Sequence, residues 1–204
     1  MINPKDWLEY AEKFQGHKCP AMVVGLKAGA AALNKLGVDR AKDSELILLA
    51  DVGKNHWAID YVDGLQVITG CTIGKGNLIL TNKGKLSFIL IDIKHKQAVR
   101  VTPKAEVILS FRKTEFFTKF KKCGSPTSEI PDELVDPIIE SVMNTTDEEL
   151  LKISDIFEYN YIEEPQSFNS FVCEECDEMV IEEYGRIKGD KMACIDCAQK
   201  KRES

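Results

Sequence analysis

Two short cysteine pairs, Cys173-Glu-Glu-Cys176 and Cys194-Ile-Asp-Cys197, stand seventeen residues apart near the end of this 204-residue chain. So small a segment has little apolar core of its own, and a C-x2-C turn aims two thiolates at one point about 2.3 Å from a metal ion. Two such turns close a tetrahedron, so the spacing predicts one structural zinc per chain held by Cys173, Cys176, Cys194 and Cys197. Two disulfides are the alternative. The opening MINPKDWLEYAEKF has no continuous apolar run, which predicts a chain without a secretory signal, in the reducing cytoplasm where disulfides are disfavoured. No later apolar run approaches the roughly 20 residues of a membrane span, so no membrane partner is expected.

Between the pairs, the sequence reads as a β-hairpin around Tyr184-Gly185 and Gly189-Asp190. Residues from Cys194 onward read as the start of a helix. Residues 171–204 are therefore expected to form a four-cysteine zinc finger of treble-clef-like or ribbon-like shape. Residues 151–204 hold 7 basic and 13 acidic side chains, whereas residues 1–150 are balanced at 20 of each, so the whole net charge of −6 belongs to the tail. Four thiolates and one zinc ion add about two more negative charges. Phosphate binding needs a positive surface, so nucleic acid is a poor partner here and a protein contact is the better one.

Residues 1–160 carry the composition of a packed domain, joined to the finger by a linker over 161–170. Asn3 and Pro4 signal a first helix, interrupted at Gly16. Pro20 opens a second, small-residue-rich helix that Gly37 should stop. The apolar run Glu45–Ala50 reads as a covered strand, and His56–Val67 as a short helix. Strands follow at 78–80, 86–93, 98–101 and 107–111, with turns at Asn82-Lys83-Gly84 and near Lys94–Lys96. Helices first and a run of mainly antiparallel strands afterwards make the expected fold class α+β. Residues 83–122 hold 11 basic and 3 acidic side chains, and residues 123–150 hold 8 acidic and none basic. The two blocks read as solvated faces that neutralise each other. Thr146 and Glu149 form a capping box that starts a helix in the acidic block.

Three polar stretches interrupt the apolar pattern. Gly16-His17-Lys18-Cys19-Pro20 sets an imidazole and a thiol before a helix N-terminus, where the dipole and free N–H groups favour thiolate and attract anions. Asp60 and Asp63 supply carboxylates on a short helix. Gly70-Cys71-Thr72-Ile73-Gly74-Lys75-Gly76-Asn77 is a glycine-rich loop, but it lacks the order of a phosphate-binding P-loop and by itself reads as a turn. His17, Cys19 and Cys71 have the donor types of a soft-metal or reactive-thiol site. Cys123 reads as an incidental loop thiol.

At these residues the chain resembles the E-subunit family of formylmethanofuran dehydrogenase. The resemblance rests on 14–20 (FQGHKCP), on 62–66 (VDGLQ) and above all on 69–78 (TGCTIGKGNL), and with Gly84-Lys85 and 98–101 (AVRV) it covers roughly residues 5–110. It implies an α+β core, a homodimer, and a cleft where His17, Cys19, Cys71, Thr72 and Lys75 gather. By donor type alone, His17, Cys19 and Cys71, with Asp60 or Asp63 to complete the shell, are the candidates for a second metal. The four-cysteine finger is an extension that some members carry. Family members are associated with the archaeal, molybdenum- or tungsten-dependent conversion of carbon dioxide to formylmethanofuran, but the pterin is expected on a different subunit. Two positions depart from the family pattern. Gln15 stands where a second His is common, and Asp60 where Cys is common. The resulting expectation is a metal- or small-ligand-binding protein linked to one-carbon metabolism, with no reaction named. The alternative is a non-catalytic accessory protein whose finger contacts a protein partner, and less favoured is a nucleic-acid-binding regulator.

Overall fold

Asn3 opens the first helical turn: its side chain accepts the Lys5 N–H at 3.1 Å, and Pro4 begins the short 3-10 helix Pro4–Trp7. The computed structural model describes residues 1–54, 58–163 and 167–200. Its contacts divide the chain into two units, Met1–Tyr161 and Ile162–Ser204.

In the first unit, helix α1 (Leu8–Gln15) ends at Gly16, whose φ of +89° reverses the chain direction. Only a residue without a Cβ adopts that left-handed conformation freely. Helix α2 (Pro20–Leu36) starts at Pro20 and stops at Gly37, as the sequence predicts. Nearly its whole circumference is buried, which is the position of a central helix. Strand β1 (Leu46–Ala50), helix α3 (Tyr61–Thr69), and strands β2 (Leu78–Leu80), β3 (Phe88–Asp92) and β4 (Gln97–Pro103) follow. The His56 start expected for α3 lies outside the described residues.

Strands are ordered β2-β1-β3-β4 and then β5 (Leu151–Ile153), with β6 (Phe157–Glu158) also on β4. Among the described residues, only β1 and β2 run parallel in this sheet. The α+β class with a mainly antiparallel sheet is therefore what forms. One face of the sheet, from Leu46, Leu48, Phe88, Leu90, Val99 and Val101, belongs to the main core with α2. The other face is also apolar: Ile47, Ile91 and Ala98 are buried, and Leu49, Ile79 and Ile89 are half-buried. Antiparallel sheets usually turn a polar face to water, so this second apolar face is a departure.

One predicted strand is a helix. Residues 107–111 lie in α4 (Ala105–Phe111), not in a strand. Strand β4 ends on Pro103, and the Ile108 N–H then bonds the Lys104 carbonyl at 3.2 Å. Val107, Ile108 and Phe111 pack on the core while Glu106, Leu109 and Ser110 face outward. That is helical spacing, and packing overrides the β-like local composition. A π-helical turn over Phe116–Phe120 comes next.

The acidic block forms α5 (Asp132–Asn144), a helix without a counterpart in the sequence reading, and α6 (Asp147–Leu150). The Thr146–Glu149 capping box is present, yet its helix has one turn before the chain extends into β5. Lys27, buried on α2, ties these elements down by donating to the carbonyl oxygens of Met143 and Thr145.

The second unit holds two hairpins, β7 (Ser170–Val172) with β8 (Met179–Ile181) and β9 (Arg186–Lys188) with β10 (Lys191–Ala193), then helix α7 (Ile195–Gln199). Gly189-Asp190 is the predicted hairpin turn. Tyr184-Gly185 is not one: Glu182–Tyr184 is a 3-10 turn joining the two hairpins. Among the described residues, no helix is long and apolar enough to cross a membrane.

Candidate metal centres

In the second unit, Cys173 and Cys176 occupy the turn between β7 and β8, and Cys194 caps α7 with Cys197 in its first turn. Their four sulfurs lie within 4.8 Å of one another, and Cys176 Sγ and Cys194 Sγ are 4.0 Å apart. Sulfurs about 2.3 Å from a tetrahedral ion stand about 3.8 Å apart. The donor set and spacing therefore fit such an ion. Backbone donors favour the thiolate form: the Cys194 N–H reaches Cys173 Sγ at 3.3 Å, and the Cys197 N–H reaches Cys194 Sγ at 3.4 Å. The Cys194 and Glu175 N–H groups bring the Cys173 thiol down to about 6. Cys173, Ala193 and Cys197 form the buried centre of this unit. A metal here would serve structure, because four protein thiolates leave no open position.

The first unit contains a different cluster. Gly16 swings the chain off α1, so that His17 and Cys19 sit in the short link to α2. Lys18 points elsewhere, to Asp132 and Asp136 of α5 at 2.8 and 2.7 Å, and this pins the link. Cys19 is the residue that caps α2, and Asp60 is the one that caps α3. The Cys19 thiol donates to Asp60 Oδ2 at 3.2 Å, and one donor atom from each of His17, Cys19 and Asp60 lies within 4.8 Å of the others. Burial, reinforced by the Asp60 charge, pushes the Cys19 thiol up to about 12. Without a cation the thiol stays protonated, and a bound metal ion would favour its thiolate. Nitrogen, sulfur and oxygen donors in one partly buried cluster suit a divalent transition metal with three protein ligands and an open position.

The unpartnered polar atoms belong to residues in or near the cluster in sequence. Among the described residues, the buried side-chain atoms without a hydrogen-bond partner are Gln15 Nε2 and Oε1, His17 Nε2 and the Tyr61 hydroxyl. All belong to cluster residues or lie within two positions of one. Buried polar atoms in folded proteins are rarely left unpaired, and water or a bound ion commonly meets those that no side chain does.

The remaining sequence candidates lie at the far end of α3. Cys71 lies just past the last turn of α3, a helix of 9 residues that is about 14 Å long at 1.5 Å per residue, and Asp60 stands at its other end. Cys71 is fully buried, its thiol 3.6 Å from the Leu46 carbonyl oxygen, and burial pushes it up to about 11. Thr72 Oγ1 accepts the Lys75 N–H at 3.2 Å. Lys75 Nζ caps the carbonyl oxygens of Ala41 and Lys42, both at 3.3 Å. Asn77, buried, accepts the Thr72 N–H and donates to the Asp43 carbonyl oxygen at 2.8 and 2.7 Å. The glycine-rich loop is thus a turn that satisfies its own polar groups. The structure brings His17, Cys19 and Asp60 together, and it does not bring Cys71, Thr72 and Lys75 to them.

Sequence reasoning missed two features beside the cluster. One is Tyr61, whose place is fixed by the α2–α3 crossing. The other is a cavity walled in part by α4 and the π turn, where the local sequence reads as a strand.

The family described as "FmdE, Molybdenum formylmethanofuran dehydrogenase operon" matches residues 14–152. A protein of Archaeoglobus fulgidus described as a probable S-adenosyl-L-methionine-binding protein is 30% identical over 198 residues. That alignment covers 92% of this chain and 51% of the relative, so the chain spans about half the relative's length. In structure, an FmdE-like protein of tungsten formylmethanofuran dehydrogenase type from Syntrophus aciditrophicus superposes with a TM-score of 0.64 at 18% identity, covering 96% of this chain and 92% of that one. At that identity the likeness shows a shared fold. The family match takes in the α1–α2 link, the α2–α3 crossing and strands β1 to β4, and on that ground the chain belongs to the FmdE family.

Proposed function

We propose that this chain is a metal-binding protein with two sites of different kinds. The four cysteines of the second unit hold a structural zinc ion. The triad of His17, Cys19 and Asp60 holds a second divalent transition metal with room for an exogenous ligand. The observation that carries the second site is the convergence of three unlike donors within 4.8 Å, with His17 Nε2 unpartnered. The family's description supports placing this binding in one-carbon metabolism around formylmethanofuran, with no reaction assigned.

Elemental analysis of the purified protein tests the reading. Two metal ions per chain are expected in the wild type, one in Cys19→Ser and in His17→Ala, and two in Cys71→Ser. One zinc per chain, unchanged by Cys19→Ser, would sink the core site. Titration with S-adenosylmethionine, the ligand in the name of the A. fulgidus relative, belongs in the same series.

The second apolar face of the sheet favours self-association. Ile79, Leu49 and Ile89 lie in one row across β2, β1 and β3, and a second copy of the chain would cover them. The finger supports a separate contact. Val172, Met179 and Ile181 form one exposed apolar face, and Asp177, Glu178 and Glu182 flank it along the chain. Like charges oppose pairing of this face with itself, so its partner is a protein surface with apolar side chains in a basic surround. A photo-crosslinker at Met179 should capture such a basic segment. Capture of an acidic one, or none at all, would overturn this contact.

A further inference from the structure

One lysine of the finger sits where charge repulsion should disfavour it. Lys188 and Lys191 face each other across β9 and β10, and like charges directly opposite ordinarily destabilise a strand pair. Lys191 is exposed, but the Lys188 side chain is only 19% exposed. A covered ammonium needs partners for its charge and its N–H groups, and Lys188 has both. Its Nζ pairs with Glu175 Oε2 at 3.0 Å and donates to the Cys197 carbonyl oxygen at 2.7 Å.

Those two partners belong to opposite halves of the four-cysteine site. Glu175 lies inside the first cysteine turn, between Cys173 and Cys176, and Cys197 is a ligand candidate of the second. The reach of Lys188 follows from the hairpin. Residues alternate between the two faces of a strand, so Lys188 shares a face with Arg186 and with Ala193, the residue opposite Arg186. Ala193 is buried with Cys173 and Cys197, whereas Ile187 lies on the other face and is exposed. A helix leaves its last carbonyl groups without helical partners, and at the end of α7 the Lys188 ammonium takes one of them. A neutralising link of this kind differs from the one through Glu174, which ties the first turn to β10 by hydrogen bonds alone. There the Glu174 N–H donates to the Met192 carbonyl oxygen at 3.0 Å, and Glu174 Oε1 accepts the Met192 N–H at 2.7 Å.

We propose that Lys188 is a positioning residue of the finger's metal site. It holds the two cysteine turns at the separation that one shared ion requires. Its charge also offsets part of the net charge of about −2 that four thiolates and a divalent cation carry. Partners that orient metal ligands in this way are worth about 10- to 100-fold in metal affinity. The proposal rests on the reading of the four cysteines as a zinc site, and it adds a residue outside both C-x2-C pairs that governs how tightly the ion is kept.

Cobalt(II) and zinc test it in the full chain carrying His17→Ala, which removes the core triad as a competing site. This parent chain should give the intense visible spectrum of tetrahedral cobalt bound by four sulfurs. Lys188→Met should weaken the binding of both metals about 10- to 100-fold and speed zinc transfer to a chelator in proportion. Lys188→Arg keeps the cation and should recover most of that loss, whereas Lys188→Gln keeps a donor without the charge and should not. Glu175→Gln should weaken binding about threefold, the worth of a partly exposed ion pair. Lys191→Met, which removes the facing exposed cation, should leave affinity unchanged. Parent-like affinity and release rate in Lys188→Met overturn the proposal and leave the zinc reading standing. Equal recovery in Lys188→Gln and Lys188→Arg, or an equal loss in Lys191→Met, also overturns it. Absence of a four-sulfur cobalt spectrum in the parent chain overturns the zinc reading and this proposal together.

Discussion

Gly25 on α2 and Gly64 on α3 meet where the two helices lie side by side, and neither has room for a Cβ. At Gly25 it would overlap the Tyr61 carbonyl oxygen, and at Gly64 the Met22 carbonyl oxygen. Further along, a Cβ on Gly29 would strike the Ile68 side chain, so the helices run in the same direction in backbone contact. Their N-termini therefore lie together, and that is what sets Asp60 beside Cys19.

Replacing either glycine should damage fold and site at once. Gly25→Ala and Gly64→Ala each force the helices apart, at a cost of about 3 kcal/mol for overpacking a tight contact. Both should also lower the content of the second metal. Gly74→Ala, with nothing within 4 Å of the added Cβ, is the control and should stay within about 0.5 kcal/mol of wild type. Denaturant unfolding with metal analysis measures both effects.

Asp51, just past the end of β1, is the acid-sensitive point of the core. It accepts from Thr81 and Ser87, both at 2.8 Å, and pairs with Lys83 at 3.0 Å and Arg100 at 2.9 Å. Burial alone would raise its carboxyl, but these four partners outweigh burial and hold it at about 2. A pKa depressed in the folded state stabilises the protein above the ordinary carboxylate range, and that stability is lost as pH falls through the folded value. The Asp51 contribution should therefore be complete at neutral pH and disappear between about pH 4 and pH 2. Asp51→Asn should cost about 3 kcal/mol at pH 7, as expected for breaking a buried ion pair. The gap to wild type should narrow over that acid window, and urea titrations at several pH values would show it.

Metal removal should unfold the finger and spare the core. If the four cysteines hold a metal ion, a strong chelator should release it and erase the β9–β10 and α7 signals, since folding and metal binding are coupled in so small a unit. Tryptophan fluorescence comes from Trp7 and Trp57 and should keep its unfolding midpoint. Cys194→Ser should behave as the chelated protein does. A finger that keeps its amide dispersion after chelation contradicts the expectation.

Charging the apolar sheet face should separate the copies. Ile79→Lys with Ile89→Lys places two cations in the row beside Leu49, where a partner sheet would bury them. Sedimentation should change from dimer to monomer with little loss of helix signal. A wild type that sediments as a monomer at micromolar concentration would refute the dimer.

Much of this protein is legible locally. The bounds of α2 follow from Pro20 and Gly37, the Thr146 capping box from its own four residues, and the four-cysteine cluster from spacing alone. Each depends on interactions within a few positions of the chain, so sequence order is enough to specify it. The run over 107–111 is different, because its apolar residues satisfy a strand or a helix equally, and only packing of Val107, Ile108 and Phe111 decides. The same holds for the core site. Sequence identifies His17, Cys19, Cys71 and Asp60 by donor type, but it has no measure of distance between them. The backbone contact at Gly25 and Gly64 fixes that distance. It joins Asp60 to Cys19 and, through the length of α3, holds Cys71 away, because a helix is a rigid spacer whose two ends cannot serve one ion.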